Sequence, residues 1–185
     1  MIYELATPLT KELYPVNRAV GFIARPFNEE KVNKIKNSYN RKIVFIAIGG
    51  SNSGLDFEID VSNINYNFIT TPALKLKGNN VTYLPATVEN TQDYIKASDF
   101  CIAKAGWGTV AELMLAGTPT ALIERPNVPE DTMMIDELKH RDEIISVSVY
   151  ELKNISTVLA KMESKIWKNT NYSNGYKQAA DIICE

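Results

Sequence analysis

Small residues form two short segments of this chain, and small residues are what a phosphate-binding turn requires. Gly49, Gly50 and Ser51 follow the apolar, β-branched run 42–48, and Ala-Gly-Trp-Gly-Thr occupies residues 105–109 after a second apolar run. Glycine carries no Cβ, so backbone N–H groups in such turns can approach an anion closely. Neither segment is a Walker sequence or a Gly-x-Gly-x-x-Gly dinucleotide motif. Both segments are therefore candidate anion-binding loops of another kind.

Glu112 is the carboxylate with the most informative spacing. It follows Gly108 and Thr109 by four and three residues, so in a helix these residues share one face and the Glu112 side chain leans back toward the loop. A carboxylate there can accept hydrogen bonds from both hydroxyls of a ribose. The same spacing fits a capping box, in which Glu112 and Thr109 only cap their own helix. On spacing alone, the capping interpretation is slightly favoured over ribose binding.

Four other residues are site candidates with ordinary structural alternatives. Lys104 either neutralises a phosphate oxygen or reaches solvent from the end of a strand. Glu130 and Asp131 either hold sugar hydroxyls or are placed by the dipole of a helix start. Trp107 either stacks on a ligand or simply packs. The sequence gives no Ser-His-Asp triad, paired carboxylates or metal-ligand cluster, so we predict no catalytic residue and no metal site in this chain.

The elements that must position these residues alternate between strand and helix, which predicts a single α/β domain with a Rossmann-like parallel sheet and helices on both faces. In such sheets ligands bind at the carboxyl ends of the strands, where both glycine loops would lie. Prolines at 8, 15 and 26 predict a linker or arm over 1–27, followed by a single folded domain at 28–185. Strands are predicted at 42–48, 66–70, 81–84, 99–103, 118–123 and 143–147, and helices at 28–40, 88–97, 110–116, 131–141, 151–167 and 173–184.

Composition narrows the class of protein. The chain has 185 residues, of which 45% are hydrophobic and 23% charged, so it can bury the core of one domain. Twenty basic against 22 acidic residues give a net charge of −2, which argues against a general nucleic-acid binder. Two cysteines argue against a disulfide framework and fit a cytoplasmic location. The longest apolar run is far shorter than the roughly 20 residues that span a bilayer.

The run DFCIAKAGWGTVAELMLAGTPTALIERP at 99–126 resembles the C-terminal, donor-binding domain of GT-B glycosyltransferases. The likeness is greatest to the family 28 branch, which contains the peptidoglycan N-acetylglucosaminyltransferase. There a strand, a small-residue loop, a Thr-x-x-Glu helix start and a Gly-x-Pro follow one another. The run at 49–51 looks like that family's Gly-Gly-Ser loop, and 174–180 looks like its closing helix.

The resemblance implies a role for each candidate residue. Glu112 would bind the ribose hydroxyls of a nucleotide-sugar donor. The diphosphate would face Gly49, Gly50, Ser51, Gly106, Trp107, Gly108 and Thr109, with Lys104 near a phosphate. The loop that begins at Leu84 would read the uracil edge, and Glu130 and Asp131 would address the sugar. The family's Gln-rich stretch and following Asn are replaced here by Met133, Met134 and Glu137. The resemblance therefore does not identify which sugar the donor carries.

The expected function is the donor-binding half of an inverting, metal-independent glycosyltransferase that uses a UDP-sugar, such as UDP-N-acetylglucosamine, as substrate and needs no cofactor. The resemblance implies that an acceptor-binding domain or partner subunit supplies the catalytic base, and that any association with the cytoplasmic face of a membrane comes through that partner. Two alternatives stay open: a non-catalytic nucleotide-sugar-binding subunit and part of a UDP-sugar 2-epimerase-like enzyme.

Overall fold

The computed structural model describes residues 20–49, 57–125 and 127–184. Eight strands and six α-helices are found in these ranges. The strands are β1 (Ile43–Ala47), β2 (Glu58–Asp60), β3 (Asn67–Thr70), β4 (Lys75–Lys77), β5 (Val81–Tyr83), β6 (Phe100–Lys104), β7 (Thr120–Ile123) and β8 (Ile145–Val147). The helices are α1 (Glu29–Asn37), α2 (Thr91–Ala97), α3 (Trp107–Ala116), α4 (Pro129–His140), α5 (Ile155–Ser164) and α6 (Tyr176–Cys184), and a 3₁₀ turn at Glu151–Asn154 precedes α5.

The main sheet has six strands in the order β5-β3-β1-β6-β7-β8, and all neighbouring pairs are parallel. All five residues of β6 are buried, as are four of the five in β1, which is typical of parallel strands covered on both faces. Helices pack around this sheet, so the predicted fold class is confirmed.

The path of the chain through the sheet fixes where a ligand would bind. From β1 the chain moves outward to β3 and β5, and then returns to β6 beside β1 before moving out to β7 and β8. The strand order therefore reverses between β1 and β6. In open α/β sheets the crevice at such a switch point, outside the carboxyl ends of the strands, is the binding position.

Two hydrophobic clusters cover the two faces of the sheet. Alternate residues of β1 divide between them: Val44 and Ile46 belong to one cluster, Ile43 and Phe45 to the other. Because successive side chains of a strand point to opposite faces, this division requires apolar partners on both sides. Helix α5 supplies one side, and α3 with α4 supplies the other.

Most of the predicted elements are present, with shifted ends. Helix α3 begins at Trp107, three residues earlier than predicted. The predicted helix at 151–167 is instead a 3₁₀ turn followed by α5. The sequence analysis missed a second, two-stranded parallel sheet of β2 and β4. Each of these strands has three residues and buries only its central one, so neither produces a strand-length apolar run.

Residues 20–28 lie against the rest of the domain through backbone contacts at Phe22 and Ala24. The backbone N–H of Gly175 donates to Phe22 O (2.8 Å), and Asn174 Nδ2 donates to Ala24 O (2.7 Å). These bonds tie the segment before α1 to the residues that lead into α6. The domain boundary at residue 27 stays a prediction. None of the helices in the described ranges has the length and apolar character needed to cross a bilayer.

Candidate functional site

The two loops at the switch point follow β1 and β6, as the sequence analysis expected. Gly49 lies two residues after the end of β1 and has a φ of 68°, in the left-handed region that favours glycine. Gly50 and Ser51 lie outside the described residues. The second loop is short, because only Ala105 and Gly106 separate β6 from α3.

The N-terminus of α3 presents backbone donors at this edge. The helix is capped by Gly106, and its first backbone hydrogen bond runs from Val110 N to Gly106 O (2.9 Å). The N–H groups of Trp107, Gly108 and Thr109 precede that bond and therefore have no acceptor within the helix. Together with the helix dipole they favour an anion.

Internal packing does not require a glycine at Gly106 or at Gly108, the two glycines at the start of α3. Gly106 has an ordinary φ of −75°, and a Cβ added at Gly106 or Gly108 would meet no atom of the described residues within 4 Å. The space in front of both backbones is therefore open with respect to the described part of the chain. A group that needs close access to the backbone N–H groups can occupy it.

The capping interpretation of Glu112 is wrong. Thr109 lies inside α3 rather than at its N-cap. The N-cap residue is Gly106, which has no side chain to form a capping box. The Glu112 side chain is only 11% exposed. Its Oε1 accepts two hydrogen bonds from the guanidinium of Arg25, one from Nη2 (2.9 Å) and one from Nε (3.2 Å).

Arg25 is a site residue that the sequence analysis missed. It lies 87 positions before Glu112, in the segment predicted to be an arm, and no local spacing connects the two. The only signal was a single cation directly before Pro26, in a stretch that otherwise reads as irregular. The long-range packing of residues 20–28 creates this contact.

A cluster of three charged side chains lies at the carboxyl end of β6: Lys104, Arg125 and Asp131. Lys104 is 8% exposed, and Asp131 from the first turn of α4 is 3% exposed. Burial lowers the pKa of Lys104 from its usual 10.5, the positive charge of Arg125 lowers it further, and Asp131 opposes both effects. Among the described residues, two cations and one carboxylate therefore meet here, a balance of one positive charge beside the glycine loops.

The remaining predicted residues are placed as follows. Leu84 is buried, and its N–H donates to Thr70 O (2.7 Å), so that N–H is not available to a base. Trp107 is half-buried and packs against the hydrophobic cluster under α3. Glu130 is exposed in the first turn of α4, and Asp131 is buried and paired with Arg125.

Another concave region lies between α1 and α2 and encloses about 400 Å³. Its lining includes Lys34, Tyr39, Asp93 and Tyr94. None of the predicted site residues lines it. The candidate site is instead the carboxyl edge of the sheet beside β1 and β6.

Comparisons with known proteins agree with the fold. The model of the family described as "Glycosyltransferase family 28 C-terminal domain" matches residues 24–184. No match was found among curated proteins. Among solved structures, the chain is similar to CalG4, the calicheamicin glycosyltransferase, with a TM-score of 0.59 and 14% identity over 80% of this chain and 38% of that one.

Two further structures share the fold. Glycosyltransferase VinC in complex with dTDP gives a TM-score of 0.53 at 10% identity over 80% of this chain and 40% of that one. Arabidopsis thaliana UGT89C1 complexed with UDP gives 0.54 at 13% identity over 100% of this chain and 56% of that one. The chain thus spans between 38% and 56% of the length of these three structures.

The structural neighbours are GT-B glycosyltransferases, and the likeness at these identities concerns the fold. The family model covers most of the chain, including both helices that carry Glu112 and Asp131. The chain therefore belongs to the family of glycosyltransferase family 28 C-terminal domains.

Proposed function

We propose that this domain binds the nucleotide diphosphate of a UDP-sugar donor at the carboxyl edge of β1 and β6. The observation that carries the proposal is the placement of three groups on β6 and on the helix that follows it at the switch point. These groups are the open N-terminus of α3, the buried amine of Lys104, and the carboxylate of Glu112 on the second turn of α3. A nucleoside diphosphate needs these three kinds of group: backbone donors and a cation for the diphosphate, and a hydrogen-bond acceptor for the ribose hydroxyls.

Each group has a defined task in the proposal. The N–H groups at the start of α3 and the positive charge of Lys104 stabilise the diphosphate, both in the bound donor and as it leaves during transfer. Glu112 accepts hydrogen bonds from the ribose hydroxyls. The base lies near the loop after β5, where the N–H of Leu84 is already used, so a contact from Leu84 would come from its carbonyl.

The proposal requires no metal ion, because the helix N-terminus and Lys104 supply the positive potential that a divalent cation would otherwise give. Isothermal titration of the chain with UDP, GDP, dTDP and NAD, each with and without EDTA, tests both statements. We expect UDP to bind best and EDTA to have no effect. The dTDP arm is included because VinC was solved with dTDP. Tightest binding of NAD, or no binding of any nucleotide, would contradict the proposal.

We also propose that sugar transfer needs an acceptor-binding half, supplied by another domain or by a partner subunit. His140, the only histidine, lies at the end of α4, on the far side of that helix from Asp131. The chain alone should bind donor and transfer no sugar to an added acceptor. Turnover by this chain alone would contradict this part of the proposal and leave donor binding intact.

Two alternatives make different predictions for the same assay. A non-catalytic nucleotide-sugar-binding subunit would bind donor and stay inactive after any acceptor-binding partner is added. An epimerase-like enzyme would convert the donor sugar to its 2-epimer without an acceptor, which NMR of the recovered nucleotide sugar would detect. The family membership favours transfer.

A further inference from the structure

We propose that Arg25 is a positioning residue for nucleotide binding, which fixes the Glu112 carboxylate and joins it to the segment that follows β5. This inference rests on the proposed function, because the task assigned to Glu112 is ribose binding. It concerns a residue in the segment before α1, far from both glycine loops in sequence.

The geometry of the pair is what a positioning role requires. Both bonds from Arg25 end on Oε1 of Glu112, at 2.9 and 3.2 Å. No donor from the described residues reaches Oε2. The guanidinium therefore holds the carboxylate by one oxygen and leaves the other as an acceptor. Because the guanidinium is planar and has a fixed set of donors, it restricts the orientation of the carboxylate more than a single point charge would.

The same guanidinium also contacts the segment between β5 and α2. Arg25 Nη1 donates to the carbonyl oxygen of Glu89, and Nη2 lies 3.3 Å from Thr91 Oγ1 at the start of α2. One side chain thus connects α3, which carries Glu112, with the chain that continues from Leu84. In the proposed site these two elements face the ribose and the base of one nucleoside.

Hydrogen bonds hold the backbone on both sides of Arg25, which restricts where its guanidinium can lie. Ala24 O accepts from Asn174 Nδ2 (2.7 Å), and Pro26 O accepts from Gln92 Nε2 (3.2 Å). The Asn28 N–H donates to the buried Asp93 (2.9 Å). Three successive anchors therefore fix residues 24–28 against α2 and the start of α6.

The opposite role would be competition, in which Arg25 occupies a carboxylate that the ribose needs. The two roles differ in sign. If Arg25 positions Glu112, removing Arg25 lets the Glu112 side chain sample other rotamers, and ribose binds less well. If Arg25 instead blocks Glu112, removing Arg25 frees the carboxylate, and ribose binds better. Two observations favour positioning: no donor of the described residues reaches Oε2, and the Arg25 side chain is 48% exposed, so it can adjust to a ligand.

The test compares UDP with 2′,3′-dideoxy-UDP by calorimetry on wild type, Arg25→Met, Arg25→Lys and Glu112→Gln. The ratio of the two affinities reports only what the hydroxyls contribute. We expect Arg25→Met to reduce this ratio by about three- to tenfold, the scale of the rotamer freedom that a glutamate side chain regains. Arg25→Lys should restore part of the ratio. The double variant Arg25→Met/Glu112→Gln should show no further loss beyond Glu112→Gln.

Arg41→Met is the matched control, since Arg41 is exposed before β1, and it should leave the ratio unchanged. Melting temperatures confirm that each variant is folded. A purely structural role for Arg25 would weaken both nucleotides equally, and competition would tighten UDP; either result would overturn the inference while the proposed function stands. If wild type binds UDP with no preference over the dideoxy analogue, the ribose task of Glu112 and this inference fail together while diphosphate binding stands. If it binds no nucleotide at all, the proposed function itself fails.

Discussion

Arg125 and Asp131 form a two-point ion pair, in which Nε lies 2.5 Å from Oδ2 and Nη2 lies 2.8 Å from Oδ1. Arg125 follows β7, and Asp131 is in the first turn of α4. The pair therefore closes the loop between these elements over six residues. It also supplies the partner that a buried carboxylate requires, and it lies beside Lys104 at the proposed donor edge.

The two members of this pair differ in exposure, which predicts an asymmetric response to mutation. The Asp131 side chain is 4% exposed and the Arg125 side chain 31%. Arg125→Met leaves the buried carboxylate without its two guanidinium hydrogen bonds, with only the charge of Lys104 nearby, and should lower the free energy of unfolding by about 3 kcal/mol. Asp131→Asn leaves an arginine that can turn to solvent and should cost about 1 kcal/mol. Urea unfolding of both variants measures this difference.

The double variant is the control for that interpretation. If the loss in Arg125→Met comes from the unpaired carboxylate, then adding Asp131→Asn should recover most of it. Equal losses in the two single variants, or additive losses in the double variant, would show that the pair is not what stabilises the loop.

The charge of Glu112 carries the second prediction. Glu112→Gln keeps the size of the side chain and weakens its hydrogen bonds to Arg25 and to a ribose, because bonds to an ionised group are roughly twice as strong as neutral ones. We expect UDP binding to weaken by about 1–2 kcal/mol, with 2′,3′-dideoxy-UDP bound almost equally by wild type and variant.

Glu137→Gln provides the matched control for this substitution. Glu137 pairs with Arg141 on the surface of α4 (2.9 Å, 43% exposed), away from the switch point. Removing its charge should leave UDP affinity unchanged. If Glu112→Gln holds UDP as tightly as wild type, Glu112 serves only the fold through Arg25.

The sheet and the site edge were predictable because their signals are local. Strand β1 is a continuous apolar run, and parallel topology follows from the alternation with helices. Gly49 and Gly106 then fall at the carboxyl edge by topology alone. The start of α3 at Trp107 was not predictable, because Gly106 and Gly108 are poor helix formers, and tertiary context overrides that propensity here.

The charged pairs were not predictable, because they depend on tertiary packing rather than on a helical or strand spacing. Arg25 reaches Glu112 only after residues 20–28 are fixed against α2 and α6. Asp131 was expected to address a sugar, and no signal in the loop indicated its partner Arg125. Residue type and spacing identify groups that could do chemistry, whereas the partner of each group is set by tertiary structure.

The close contact between Gly21 and Gly175 gives the third prediction. A Cβ on Gly175 would lie 2.7 Å from Gly21 O and 2.8 Å from Gly21 N, which are backbone atoms. Gly175→Ala must therefore push residues 20–28 away from the domain. We expect a loss of about 1–3 kcal/mol of stability, the usual range for overpacking, and weaker UDP binding because Arg25 moves with this segment.

Gly21→Ala tests the same contact with a smaller clash. Its Cβ would lie 3.2 Å from Ser173 O, so a shift of a few tenths of an ångström accommodates it. Differential scanning calorimetry should place its melting temperature between those of wild type and Gly175→Ala. An unchanged melting temperature and UDP affinity in Gly175→Ala would show that the segment is not anchored as described.

Lys104 carries the last prediction, which concerns pH. Its lowered pKa means that the unfolded chain binds more protons than the folded chain between the folded pKa and 10.5. The free energy of unfolding therefore rises with pH across that window. Lys104→Met removes this rise, and at neutral pH the variant should be at least as stable as wild type, because it no longer holds a charged amine in a desolvated position.

Binding should respond in the opposite direction. A diphosphate needs the protonated amine, so UDP affinity of the wild type should fall as pH rises through the lowered pKa of Lys104. Lys104→Met should bind UDP about tenfold more weakly at neutral pH, the scale of one charge-assisted bond, and should lose the alkaline decline. Calorimetry across this range, with the exposed Lys139→Met as control, measures both effects. A variant that is less stable, binds UDP normally and keeps the alkaline decline would make Lys104 a structural residue and transfer the phosphate role to the helix N-terminus alone.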